Sequence, residues 1–155
     1  MKRTAANVTV VDPIVVRRAR DLLERGDNLL ANADGVSDSA ERFRQYYLAA
    51  LRGAGSILAV LEPPAPTARR RGSRNAWARL TAAVPEWDAA AEYLMSVSDV
   101  RMKIESGQIR AVDAALAATL RRYVVALLDD ADAMVVAYEQ GKLANGGRPE
   151  LHLVS

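Results

Sequence analysis

The sequence predicts an all-α fold, a bundle of four to five helices with a long C-terminal one. Three observations carry this. From Gln108 to about Tyr138, apolar residues recur with a helical period at Ile109, Val112, Leu116, Leu120, Val124, Leu127, Ala131, Met134 and Tyr138, with no Gly or Pro between them. Half of the 155 residues are apolar, yet only one is Phe and two are Trp, so alanine supplies much of the remainder and favours closely packed helices. The β-prone run Val8-Thr9-Val10-Val11 has no second strand to pair with. At 1.5 Å per residue the long segment makes a rod of roughly 45 Å, and its apolar stripe needs other helices laid against it.

The upstream elements supply them. Asp12 followed by Pro13 reads as an N-cap and first helical position, and a helix follows to about Leu30. Its buried side is Val15, Ala19, Leu22, Leu23, Leu29 and Leu30; Gly26, costly in a helix by about 1 kcal/mol, marks a close crossing. Asn32 to Asp38 is a polar connection. Ser37 or Asp38 caps a second helix that runs to about Leu61, with Phe43, Tyr47, Ala50, Leu51, Ala54, Leu58 and Leu61 on one face. Its run Ala49 to Ser56 has almost no side-chain bulk, which lets another backbone approach, and the long final helix is expected to cross there.

Pro63, Pro64 and Pro66 exclude a helix between Glu62 and Gly72. Ser73 can cap a short third helix through Trp77, Leu80 and Val84. A fourth starts at Pro85 and runs through Trp87, Ala91, Leu94 and Met95 toward Arg101, ending at Ser106-Gly107. The expected organisation is a tail over 1–11, one helical domain over 12–140, and a flexible tail over 141–155 that begins with Gly141 and contains Asn145-Gly146-Gly147.

Composition narrows the chemistry. The chain has no cysteine, which excludes disulfides, thiolate metal sites and a cysteine nucleophile. No window approaches twenty apolar residues, so no membrane span is expected and the cytoplasm is the default compartment. The one histidine, His152, lies in the expected tail, so no histidine cluster is available for a metal and serine hydrolysis lacks a base. Asp129, Asp130 and Asp132 read as acids near the solvent face of a helix. There is no phosphate-binding glycine loop, and no metal or other cofactor is expected.

The net charge is only +2, but it is uneven. Residues 1–80 carry fourteen basic against eight acidic side chains, and residues 81–155 seven against eleven. The densest positive cluster is Arg69, Arg70, Arg71 and Arg74, with Arg79 beyond it. Arginines hold phosphate oxygens with several donors and keep their charge, so these five are candidate phosphate or nucleic-acid contacts. A solvated linker explains them equally well. Trp77 has the spacing of a core residue, although an aromatic beside arginines can also stack on a base.

Two segments carry a family resemblance. Val100-Arg101-Met102-Lys103-Ile104-Glu105-Ser106-Gly107 precedes the long helix, and Phe43-Arg-Gln-Tyr-Tyr-Leu-Ala-Ala-Leu-Arg52 lies on a helix upstream. Together they resemble the HEPN superfamily, in particular its actinobacterial branch of small stand-alone proteins, over roughly residues 12–140. The resemblance implies a helical bundle that commonly dimerises. Many members are metal-independent ribonucleases whose arginine is followed, after four intervening residues, by a histidine and often a glycine. Arg101 stands at the arginine and Gly107 at the glycine, while Met102 replaces the usual polar residue and Ser106 the histidine. A serine hydroxyl without a base does not move protons near neutral pH as imidazole does. Arg101 is therefore a candidate phosphate ligand or, in the plainer reading, a helix-end arginine paired with Asp99 or Glu105.

Three functions follow from these residues. The first is a non-catalytic HEPN-like binding module, a homodimer contacting RNA, another phosphate-bearing ligand or a protein. The second is a metal-independent endoribonuclease, toxin-like in character. The third is a helical protein–protein adaptor with no nucleic-acid role.

Overall fold

A computed structural model describes residues 11–62 and 75–153. Among these residues there are five α-helices and no strand: α1 (Pro13–Asp34), α2 (Ser39–Leu61), α3 (Ala76–Ala83), α4 (Asp88–Glu105) and α5 (Ala114–Glu139). Short 3-10 turns occupy Pro85–Trp87 and Leu143–Asn145. The all-helical expectation holds.

The helix starts follow their capping chemistry. The Asp12 carboxylate accepts from the Ile14 amide at 2.9 Å with Pro13 next in line, and Asp38, not Ser37, accepts from the Glu41 amide at 2.9 Å. Ser73 lies outside the described residues; α3 is capped by Asn75, which accepts from the Trp77 and Ala78 amides.

Helix α2 is the centre of the bundle, packed against α1, α3, α4 and α5. Phe43, Ile57, Leu80, Trp87, Leu94, Leu120, Leu127 and Met134 are fully buried around it. The expected crossing of the small-residue run by the last helix is present. A Cβ placed on Gly53 would stand 3.0 Å from Leu128 Cδ2, and one on Gly26 would stand 2.8 Å from the same atom and 3.3 Å from the Ala49 carbonyl oxygen. Thus α1, α2 and α5 meet at a point where two glycines leave room for one leucine. Ser56 adds a buried hydrogen bond from its hydroxyl to the Ala19 carbonyl, 2.9 Å.

Several expectations are corrected. The last helix begins at Ala114, six residues later than its apolar period suggests. Gly107 adopts φ +83°, and the Gln108 and Ile109 amides turn back onto the Lys103 carbonyl at 2.9 and 3.1 Å. Val112 then inserts as a loop residue, its amide donating to Ser39 Oγ at 2.9 Å. Leu116 is 39% exposed, so the buried stripe of α5 starts at Ala117 and Leu120. Helix α1 continues past Leu30 to Asp34 because Ala33 is fully buried and extends its packed face.

The segment after α5, expected to be a flexible tail, packs back on the bundle. Leu153 is 7% exposed, and Leu143 and Leu151 pack against the core. The cause is Asp130, which is fully buried in α5 and not on its solvent face. It accepts from the amides of His152 at 2.7 Å and Leu153 at 2.8 Å.

Candidate functional site

Arg101 sits near the C-terminal end of α4, just before its last turn, and lies over α2. Its guanidinium carbon is 5.2 Å from the centre of the Tyr47 ring, within cation–π range. Tyr47 is itself fixed from below. Its hydroxyl accepts from Trp77 Nε1 at 2.9 Å, and the two rings meet edge to face at 6.1 Å. Trp77 is 2% exposed, so its place is in the core beneath Tyr47 and not on a surface where a base could stack.

One helical turn after Arg101 stands Glu105, whose Oε2 lies 3.8 Å from Arg101 Nε, too far for a hydrogen bond. The same oxygen accepts from Arg44 Nε at 3.2 Å, and Arg44 also reaches Glu41 at 3.1 Å. Glu105 therefore serves two arginines. Arg101 Nε is buried with no hydrogen-bond acceptor among the described residues. The plainer reading of Arg101 as a helix-end arginine paired with Glu105 describes its contacts, while Asp99 pairs with Lys103 at 3.4 Å instead. No local pattern marks Arg44 and Tyr47 as neighbours of Arg101. Both lie in the helical segment that carried the resemblance, and only the crossing of α4 over α2 brings them together.

Ser106 is exposed, and its hydroxyl donates to the Lys103 carbonyl at 3.2 Å. His152 is remote from this pair in contact terms: its Nδ1 lies 3.3 Å from Asp130 Oδ1. The structure thus brings Arg101 together with Tyr47, Glu105 and Arg44, and adds no imidazole to them.

Of the arginine cluster, Arg69, Arg70, Arg71 and Arg74 lie outside the described residues. Arg79 forms a two-pronged pair with Glu62, at 2.6 and 3.1 Å, and the hydrogen bonds to that carboxylate push its already high pKa higher. A second polar cluster that the sequence did not reveal joins α1, α2 and α5. Arg121 donates twice to Asp34, at 2.9 and 2.8 Å, and the Tyr46 hydroxyl donates to the same carboxylate. The Arg121 hydrogen bonds, aided by Tyr46, hold the Asp34 carboxyl down at about 2. This clasp borders a cavity of about 350 Å³. Its partners are 87 positions apart in the chain, beyond any local signal.

The structure is an all-helical bundle with an aromatic-backed arginine near the end of its penultimate helix, followed after four residues by a serine and a glycine. The family comparison gives the class: the model of an SAV_6107-like HEPN family matches residues 33–132, from the last turn of α1 through most of α5. The chain belongs to this HEPN family. No curated protein and no solved structure gives a significant match to it.

Proposed function

We propose that this chain is a HEPN-type binding module that holds a phosphate-bearing ligand, RNA among them, without cutting it. What supports the reading is Ser106, which the resemblance sets at the family's histidine position and which is exposed and turned onto a backbone carbonyl. Its hydroxyl is a donor and acceptor but no proton reservoir near neutral pH. Arg101 keeps a charge set on the Tyr47 ring and shared with Glu105 at ion-pair distance, an arrangement from which an entering phosphate oxygen can draw hydrogen bonds.

The test is a panel of labelled single-stranded RNAs with purified protein, in chelator and at low salt. The expected outcome is binding without cleavage, weakened several-fold by Arg101→Ala and steeply by added salt. Cleavage by the parent chain that Arg101→Ala abolishes would replace this reading with the ribonuclease. Ser106→His producing cleavage from an inactive parent would locate the missing group. Absence of both binding and cleavage would give the adaptor reading the lead.

The exposed face of α4 supports a second copy of the chain as partner. Met95 and Met102, two turns apart on one side of the helix, are 42% and 54% exposed. On α5, Val125 and Val136 are half-buried, while Leu128 is spent on the α1–α2 crossing.

A further inference from the structure

Resting on the binding reading above, we propose that Arg44 is the second cation of the Arg101 site and that Glu105 stands in that site as an internal competitor of the phosphodiester of an RNA strand. The geometry is one carboxylate oxygen between two guanidinium groups. Glu105 Oε2 accepts from Arg44 Nε at 3.2 Å and lies 3.8 Å from Arg101 Nε. The first distance is a hydrogen bond and the second is not. Arg101 Nε is buried without an acceptor among the described residues. A buried donor left in that condition is costly and points to a missing acceptor. By contrast, Arg79 grips Glu62 and Arg121 grips Asp34 through two nitrogens each, at 3.1 Å or less.

The movable member of this cluster is the acid. Glu105 is the last residue of α4 and its side chain is 40% exposed, so its carboxylate can turn out to water at little cost. Arg101 is held back by the Tyr47 ring beneath its guanidinium, and Tyr47 by its bond from Trp77. Arg44 keeps a second partner in Glu41 at 3.1 Å, and Gln45 donates to that same carboxylate at 2.8 Å. When Glu105 turns away, the two arginines and Glu41 are left with one uncompensated positive charge. A phosphodiester carries one negative charge, as the carboxylate does, and restores the balance. It also presents two non-bridging oxygens, one for each guanidinium, where Glu105 offers both arginines a single oxygen. Binding is therefore an exchange of one anion for another, and the carboxylate sets its strength.

Fluorescence anisotropy of a labelled oligouridylate, in chelator and at low salt, tests this on the full chain. Glu105→Gln removes the competing charge and keeps the shape, and should tighten binding about threefold or more. Asp99→Asn removes the same charge from the same helix, where it faces Lys103 at 3.4 Å, and should tighten binding much less. Arg44→Gln should weaken binding as much as Arg101→Gln does, and each should reduce the slope of log affinity against log salt by about 0.7. Lys103→Gln should weaken it less than either. A melting curve for each variant shows that the bundle is intact, and the gain in Glu105→Gln cannot arise from a lost fold. Unchanged affinity in Arg44→Gln overturns the proposal while binding that depends on Arg101 stands, as does a gain in Asp99→Asn equal to that in Glu105→Gln. Binding by Glu105→Gln and not by the parent chain supports the competitor and overturns the reading of the parent as a binding module. Absence of binding by every variant overturns both.

Discussion

At the scale of single residues, the charges that fold the chain are distinct from Arg101 and its neighbours. Asp34 is the clearest case. Its folded pKa of about 2 lies below the ordinary 3.8, so the pair with Arg121 stabilises the fold above the unfolded value and is lost as pH falls through the folded one. Acid unfolding should therefore steepen between about pH 4 and pH 2, and Asp34→Asn should remove that component while lowering stability at pH 7. Both partners are more than a third exposed, so solvent screening holds the loss to about 1 kcal/mol or less. Asp27 has the opposite sign. Burial, and then the neighbouring Asp132 and Asp129, push its carboxyl up. Its ionised form penalises the fold at neutral pH, and the penalty disappears below the unfolded pKa. Asp27→Asn should raise the melting temperature at pH 7 and leave it unchanged near pH 3, by an amount under about 1 kcal/mol. The spacing of Arg101 and Ser106 could be read from the sequence because it is local. Asp130 could not: among three neighbouring acids, only the returning segment distinguishes the buried one.

At the scale of elements, the decisive feature is the crossing of α1, α2 and α5. The run from Ala49 to Ser56 announced it, and Gly26 announced its third member. Ala50 and Ala54 are fully buried there, so Ala50→Trp or Ala54→Trp should overpack the crossing and cost about 1–3 kcal/mol in denaturant unfolding. The glycines separate more finely. Gly26→Val drives a side chain into Leu128 and toward the Ala49 carbonyl, and should destabilise by a similar amount. A Cβ at Gly55 meets Leu22 Cδ1 at an ordinary 3.4 Å, so Gly55→Ala should be neutral or stabilise by about 0.5–1 kcal/mol through helix propensity. The start of α5 at Ala114 differs from the apolar period for a physical reason. Ile109 and Val112 keep the helical period, yet they pack as loop residues after a left-handed glycine, and periodicity records burial, not backbone conformation.

At the scale of the whole molecule, the uneven charge of the two halves is partly spent on ion pairs between helices. Arg20 of α1 pairs with Asp132 and Glu139 of α5 at 3.1 and 2.7 Å, and Arg44 of α2 pairs with Glu105 of α4. The surplus of basic residues early in the chain thus meets the surplus of acidic residues late in it, and the described surface is less polarised than the sequence suggests. No helix among the described residues is long and apolar enough to cross a membrane. The exposed methionines of α4 lead to a prediction at this scale. Light scattering at micromolar concentration should give twice the mass of one chain, and Met102→Asp should shift it toward one. A single-chain mass that does not change with concentration would remove the second copy from the reading.

What the sequence determined by itself was everything governed by neighbours a few residues apart. The helical class, the cap at Asp12, the proline break after Leu61, the small-residue face of α2 and the spacing from Arg101 to Ser106 all belong here, because period and capping act over one or two turns. Tertiary structure alone decided which distant groups meet. It set Tyr47 under Arg101, closed Asp34 on Arg121, and turned residues 148–153 back onto Asp130. Those contacts join residues tens of positions apart, and their charges and rings find partners only once the helices have packed.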